Sequence, residues 1–220
     1  MKQKLSKRLL KVADFSKSYF SNVDAFVDMC CDHGILGLYI LENFSKKVYF
    51  VDPVKSIIEK LKNKIMESDK NRVTCLDIKG QNFTYTENGP VIAICGVGGD
   101  LIWEIVQSIT LKNPHSSPIF VLAPQNRPVE LREALIRQGF GVDQEGLVKD
   151  NGKYYEIMCV AGVFKKPLSL IGESAFDLND DSHLSYLKKK REHYDFKSRK
   201  FSEFKKVVKM YDALLGHLKI

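Results

Sequence analysis

The chain has 220 residues, 44% of them hydrophobic, and a formal net charge of +7, which suits one sizeable domain with an appendage. No apolar run reaches the ~20 residues of a membrane-spanning helix, and the basic start lacks the apolar segment of a signal peptide. The five cysteines include no C-x-x-C pair and no zinc-like spacing with histidine. We therefore expect a cytoplasmic protein with free thiols, no metal site and no membrane association.

Hydrophobic periodicity predicts strands alternating with helices over the first three quarters of the chain. The predicted helices cover residues 3–15, the segment after the first strand to about residue 43, and residues 53–68, 100–109 and 129–138. The predicted strands cover residues 24–28, 47–52, 73–77, 91–95, 118–122, 140–148 and 154–163. Asn151 and Gly152 between the last two strands are a strong signal for a hairpin turn.

Five strand–helix units followed by an antiparallel hairpin imply a mostly parallel sheet with helices on both faces. This is the α/β, Rossmann-like architecture of class I methyltransferases. Dehydrogenases typically extend the sheet with another parallel unit instead. We place this domain at residues 1–165.

A basic tail follows a linker at residues 164–182. Residues 183–220 hold eleven Lys and Arg against four Asp and Glu, so all the excess positive charge lies there. Such a local surface indicates a polyanionic partner, although a solvated helix face is at least as common. We expect residues 175–220 to form a helical, coiled-coil-like domain.

Apolar residues recur every seven positions in the tail, but the second seam position fails in its first half. This break favours an antiparallel helical hairpin that bends near residues 195–200, with one long helix as the alternative. Tyr194 and Phe201 lie on the seam, and core packing is the favoured role for both rather than base stacking.

Three strands end in acids that should project from one edge of the sheet, Asp28, Asp52 and Asp77. Asp52 lies about one strand–helix unit after the first turn, where an acid typically binds ribose hydroxyls. Asp77 suits an adenine amino group, and Asp28 with the turn amides suits an amino-acid end. Bare phosphates would be repelled, so the pattern indicates a nucleoside–amino acid cofactor.

Six segments together resemble the bacterial tRNA (adenine-N1)-methyltransferase family known as TrmK, which modifies adenine 22. They are LSKRLLKVADF, VDMCCDHGILGLY, FVDPVKSIIEKL, ICGVGGDLI, LAPQNRPVELR and GKYYEI. The likeness covers roughly residues 5–163 and, more loosely, the tail. It implies S-adenosylmethionine as the methyl donor, tRNA as the partner and a helical C-terminal domain that helps to hold tRNA. We expect a monomer or weak dimer.

The resemblance and the expected chemistry assign three sets of residues. The cofactor-binding candidates are Asp28, Met29, Cys30, His33, Asp52, Pro53, Asp77, Ile78, Gly96, Val97 and Gly98. The catalytic candidates are Asp32, to stabilise the positive charge that develops on adenine, with Gln125 and Asn126 to orient the base. The RNA-binding candidates are Lys7, Arg8, Arg127, Lys188, Lys189, Lys190, Arg191, Lys197, Arg199 and Lys200.

Two alternatives stay open. The chain has Cys30 where the family usually has glycine, and Leu76 and Ile78 replace glycines around Asp77. These departures support a methyltransferase-fold protein that is weakened or inactive in catalysis and acts as an RNA-binding module. A nicotinamide-dependent oxidoreductase is less favoured, because the first turn lacks the G-x-G-x-x-G pattern.

Overall fold

A computed structural model of the chain describes residues 5–86 and 89–216. Its seven strands are β1 (Ala25–Met29), β2 (Lys47–Val51), β3 (Val73–Leu76), β4 (Val91–Cys95), β5 (Ile119–Ala123), β6 (Gly141–Asp150) and β7 (Lys153–Ala161). They form one sheet in the order β3–β2–β1–β4–β5–β7–β6. The first five strands are parallel, and β7 pairs antiparallel with both β5 and β6. The predicted fold class is therefore confirmed.

The helices cover both faces of the sheet. They are α1 (Lys7–Lys17), α2 (Ile35–Asn43), α3 (Lys55–Lys62), α4 (Gly99–Lys112), α5 (Pro128–Arg137), α6 (Asp181–Ser198) and α7 (Lys205–Gly216). Helices α1, α2 and α3 pack on one face of the sheet, and α4 and α5 pack on the other. Alternate residues of β1 supply the two cores, because successive side chains of a strand point to opposite faces.

Three predicted helix boundaries were wrong, and one of them is the end of α4, which runs to Lys112 and not to residue 109. Helix α1 begins at Lys7, where the Ser6 side chain accepts a hydrogen bond from the Leu9 N–H, and the first residues of the predicted span lie outside the described part. Helix α3 ends at Lys62, not near residue 68, and a 3₁₀ segment follows at Glu67–Arg72. The Arg72 guanidinium in this segment donates to backbone carbonyls at the end of α2. These carbonyls have no partner within their own helix.

The tail is a helical hairpin, as the sequence favoured, and it docks against α5. Val129 of α5 and Ile171 of the linker pack with buried residues of both tail helices, among them Tyr194 and Tyr211. Tyr194 is buried as expected, but the expectation for Phe201 was wrong. Phe201 lies between α6 and α7, where the heptad pattern is interrupted, and is 43% exposed.

Polar contacts fix the same junction. Arg132 of α5 is fully buried, pairs with Glu145 and Glu156, and donates to the Ser169 carbonyl at 3.2 Å. The Tyr186 hydroxyl of α6 donates to Glu156 at 2.8 Å. The hairpin is therefore joined to the sheet through a buried ionic network. Within the described ranges, no helix has the length and apolar character needed to cross a membrane.

Candidate active site

The turn after β1 is built around the Asp28 carboxylate. Asp28 is buried, and its Oδ2 accepts a hydrogen bond from the Gly37 N–H in the first turn of α2 at 2.8 Å. Burial raises the pKa of Asp28 to about 7, and the negative charges of Asp52 and Asp32 add to this effect. The group is thus poised to gain from a cationic ligand, which would favour its ionised form.

Asp52 connects the ends of β1 and β2. Its Oδ2 accepts the Asp32 N–H at 3.2 Å, and its Oδ1 accepts the Val54 N–H at 3.0 Å. A carboxylate has about four acceptor positions, so both oxygens retain capacity for a ligand's hydroxyl groups. Asp52 therefore shapes the turn and stays available as an acceptor.

The loops after β4 and β5 are tied to each other on the other side of the site. The Gln125 N–H donates to the Val97 carbonyl at 2.9 Å, and the Gly99 N–H donates to the Asn126 carbonyl at 3.2 Å. A Cβ on Gly99 would lie 2.7 Å from the Arg127 carbonyl oxygen, so this close approach needs glycine. The loop pair forms a fixed wall beside the turn after β1.

A cavity of about 430 Å³ lies between the two walls, at the carboxyl ends of the central strands. Its lining contains predicted residues of both the cofactor and the catalytic sets. These are Asp28, Cys30, Asp32, His33, Asp52, Gly96, Val97 and Gln125. The parallel sheet brings them together because the β1, β2, β4 and β5 ends share one edge.

Other predicted residues lie outside this cavity. Met29 is buried in the opposite core, whereas Pro53, Asp77 and Asn126 are exposed. Asp77 follows β3, which is the edge strand of the sheet and lies next to β2. Ile78 packs on the core beside β4, and a Cβ on Gly98 would lie 2.9 Å from the Asn126 Oδ1 atom. Their roles stay predictions.

Several lining residues were not predicted as part of a cofactor site. Arg8, expected at the RNA, lines the cavity, together with Leu9, Cys31, Ile35, Leu36, Val54, Ile57 and Cys95. The aliphatic members follow β2 or lie in α1, α2 and α3, Cys31 follows β1 and Cys95 ends β4, and periodicity alone assigns such residues to the core. Arg8 and Leu9 lie far from the other lining residues in sequence, so only the packing of α1 on the sheet reveals their position.

The three thiols of the cavity are protonated at neutral pH. Burial raises the pKa of Cys30 to about 11 and that of Cys95 to about 12, and it also raises the pKa of Cys31. Nearby Asp28 adds to each shift, whereas the charge of Arg8 opposes the shift of Cys95. These thiols are poor nucleophiles and act as small lining groups.

Cys30 adopts the backbone conformation that glycine favours. Its φ is +58°, and Asp32 two residues later has a φ of +48°. An Asp tolerates this left-handed region better than most residues, whereas Cys30 costs roughly 1–2 kcal/mol there. The turn therefore keeps a glycine-like path despite the substitution, and Leu76 and Ile78 pack against the neighbouring core.

Comparison with known proteins assigns the family. A family model for a methyltransferase domain matches residues 5–158. The chain belongs to this methyltransferase family. A search of the curated proteins found no match.

Solved structures similar to this methyltransferase cover its tail as well as its sheet. Sp1610 of Streptococcus pneumoniae, a candidate tRNA (m1A22) methyltransferase, is 25% identical over 96% of this chain and 100% of that chain, with a TM-score of 0.75. M. capricolum TrmK in complex with S-adenosyl-homocysteine is 19% identical, with coverages of 97% and 99% and a TM-score of 0.76. The B. subtilis m1A22 tRNA methyltransferase TrmK is 19% identical, with coverages of 98% and 97% and a TM-score of 0.66. The latter two show a shared fold, in agreement with the TrmK-like motifs.

The basic residues of the tail differ in how they are used. Arg191 pairs with Asp212 of α7, Lys197 pairs with Glu130 of α5, and Arg199 pairs with Asp195. Lys190 lies over the Tyr186 ring, and burial lowers its pKa. The remaining candidates of the tail, Lys188, Lys189 and Lys200, are exposed.

The other RNA-binding candidates lie nearer the cavity. Lys7 is exposed on α1, whereas Arg127 is paired with Asp100 and lies 3.6 Å from Glu130. Arg127 has a φ of +53° and precedes α5, directly after the loop that carries Gln125. The exposed candidates thus lie on both the α1 and the hairpin sides of this methyltransferase.

Proposed function

We propose that this protein transfers a methyl group from S-adenosylmethionine to N1 of adenine 22 in tRNA. The observation that carries the proposal is the cavity at the strand ends, which is lined by Asp28 and Asp52 in a chain of the methyltransferase family. Similar structures that include the tail helices come from proteins described as tRNA m1A22 methyltransferases, and this supports the substrate.

The residues of the cavity fit the cofactor. A volume of about 430 Å³ lies within the usual range for small-ligand sites. Asp52 would hold the ribose hydroxyls with its unused acceptor positions, and Asp28 would hold the ammonium group. A Cβ added at Gly96 meets no atom within 4 Å, so the backbone there is open to the ligand. When bound, this cofactor supplies an electrophilic methyl group on its sulfonium.

The protein's own groups then act mainly by positioning. Adenine N1 carries a lone pair and needs no base, so the site must align the base and accommodate a cationic product. The Asp32 carboxylate lies at the cavity with 69% of its side chain exposed, where it would stabilise the developing positive charge. Gln125 and Asn126 follow β5 and would orient the base edge.

The proposal extends to the partner and the domain roles. Residues 1–165 would bind the cofactor and carry the reaction, and residues 175–220 would contact tRNA phosphates, with specificity set by tRNA shape. The protein would act in the cytoplasm as a monomer or weak dimer without a metal ion. The exposed lysines of the hairpin support the RNA role.

Methyl transfer from labelled S-adenosylmethionine to unmodified tRNA tests the proposal. We expect 1-methyladenosine by mass spectrometry of the nucleosides, and none from a tRNA in which adenine 22 is changed to guanine. Calorimetry with S-adenosylmethionine is the companion measurement. Absence of binding at millimolar cofactor, together with tight tRNA binding, would instead support the catalytically inactive RNA-binding module.

A further inference from the structure

Arg8 is placed in the cavity with two donor groups that lack a partner. It lies in the first turn of α1, and its guanidinium stacks over the Tyr155 ring at 4.8 Å from the centroid. Its Nε and Nη1 atoms are buried and donate to no acceptor of residues 5–86 and 89–216. Burying such a charged donor without an acceptor costs about 1–3 kcal/mol or more. An acceptor on a bound ligand would reduce this cost.

The charges around Arg8 define the ligand group that suits it. Within the described lining, Asp28, Asp32 and Asp52 are acidic, and Arg8 and His33 are the groups able to carry positive charge. A cavity lined by both carboxylates and a guanidinium is complementary to a zwitterion. A phosphodiester would meet the three acids and be repelled.

The structural environment of Arg8 also favours a carboxylate over a diffuse counter-ion. The guanidinium carbon lies over the Tyr155 ring, and a guanidinium presents two forks, one formed by Nε with Nη2 and one by Nη1 with Nη2, either of which binds a carboxylate through two parallel hydrogen bonds. A lysine would supply the charge without such a fork.

We infer that Arg8 binds the carboxylate of the cofactor's amino-acid moiety, while Asp28 holds the ammonium group. Arg8 is then a cofactor-binding residue and not the RNA contact that its sequence context suggested. The inference rests on the proposed cofactor, and it assigns the carboxylate subsite to α1, outside the strand-end turns.

Calorimetry with two ligands isolates this contact. The first ligand is S-adenosylhomocysteine, and the second is its decarboxylated analogue, which keeps the ammonium group and lacks only the carboxylate. We expect the analogue to bind the wild-type protein about 20-fold more weakly, in line with a charge-assisted hydrogen-bonded pair. In Arg8→Gln the two ligands should differ less than about threefold, because the partner of the carboxylate is gone.

Two further variants keep the result interpretable. Lys17→Gln removes a basic side chain from the far end of the same helix and should preserve the full difference between the ligands. Arg8→Lys retains the charge and much of the packing, and it should give a difference between the ligands that is intermediate between those of the wild type and Arg8→Gln. It serves as the test variant if Arg8→Gln fails to fold. Thermal unfolding followed by circular dichroism checks each variant.

The outcomes separate this inference from the proposed function. If the wild-type protein binds neither ligand at millimolar concentration, both are wrong. If S-adenosylhomocysteine binds and Arg8→Gln keeps the 20-fold difference, only the carboxylate assignment is overturned. An Arg8→Gln protein that retains the ligand difference but binds tRNA more weakly would return Arg8 to the RNA surface.

Discussion

One arginine lies at the cavity and another lies beneath the docked helical hairpin, and the two side chains differ in how they are paired with acidic groups. Arg132 beneath the hairpin is fully buried, and its Nε and Nη1 donate to Glu145, Glu156 and the Ser169 carbonyl, whereas its Nη2 has no acceptor in the described residues. Arg8 at the cavity has two buried nitrogens without an acceptor in the described residues.

The acids of the two regions show the same contrast. Burial raises the pKa of Glu130 beneath the hairpin, but hydrogen bonds from Lys197 and Tyr194 and the charge of Lys197 outweigh it, so the pKa is lowered overall. At the cavity, burial dominates and the pKa of Asp28 is raised to about 7. Removing one member of a buried ion pair is destabilising, whereas titratable groups with raised pKa values in a cleft are typical of ligand sites.

The largest expected effect comes from removing the buried ion pairs of Arg132 beneath the hairpin. Arg132→Met should lower the free energy of unfolding by about 3–5 kcal/mol, because it leaves Glu145 and Glu156 buried without a cation. Urea denaturation measures this loss. Arg137→Met, an exposed change on the same helix, should stay within about 0.5 kcal/mol. A loss of less than about 1 kcal/mol in Arg132→Met would show that the buried pairs do not support the junction.

Asp28→Asn tests the cavity, and it should raise the stability of the protein but weaken its binding of the cofactor. The folded protein keeps the Asp28 proton up to about pH 7, whereas the unfolded chain releases it near pH 3.8. Between these values the folded state binds the extra proton, so this carboxyl makes the protein less stable as pH rises. The variant removes that penalty, and it should exceed the wild type by about 2 kcal/mol more at pH 8 than at pH 5.

The same Asp28→Asn variant should bind S-adenosylhomocysteine at least about 30-fold more weakly, because a neutral amide cannot pair with the ammonium group. Denaturation at several pH values and calorimetry provide the two readouts. Asp24→Asn, exposed at the other end of β1, should change neither. Equal stability differences at pH 5 and pH 8 would contradict the raised pKa.

Two sets of basic residues in the hairpin extend the comparison to RNA. Replacing the exposed Lys188, Lys189 and Lys200 by Gln should weaken tRNA binding about tenfold and flatten its salt dependence by about two phosphate contacts. Replacing the ion-paired Arg191, Lys197 and Arg199 by Gln should change the salt dependence by less than one contact and mainly reduce stability. Filter binding across a salt series measures both, and equal slopes would remove the distinction between the sets.

The smallest effect is expected at Cys30, where the cavity carries backbone strain. Cys30→Gly relieves a φ of +58° and should stabilise the protein by about 1 kcal/mol or less, since lost burial and added chain entropy offset part of the gain. Cys30→Val should destabilise it, because a branched side chain fits this conformation poorly. Thermal melting of both variants measures the order. A Val variant as stable as the Gly variant would show that the turn adjusts its backbone.

The main elements of the fold and one side of the cavity could be predicted from the sequence. The alternation of apolar strands and helices, the Asn151-Gly152 turn and the acids after β1 and β2 predicted the sheet, the hairpin and one side of the cavity. These features are local, since hydrophobic periodicity, turn chemistry and strand-end position each depend on a short segment of the chain. The break in the heptad pattern likewise indicated a helical hairpin.

Contacts between distant segments were beyond the reach of the sequence. The insertion of β7 between β5 and β6, the docking of the hairpin on α5 and the end of α3 each depend on packing between separate elements. The count of basic residues in the tail could not distinguish exposed Lys189 from paired Lys197, because pairing is decided by a carboxylate on another helix.

By itself, the sequence determined the fold class, the acidic strand ends and the concentration of positive charge in the tail. Only the tertiary structure decided which charges have partners. It buried Arg132 between two glutamates and left Nε and Nη1 of Arg8 without an acceptor in the described residues, although both residues are arginines within amphipathic helices. The physical reason is that the free energy of a buried charge depends on the groups that surround it in space, and these come from segments far apart in the chain.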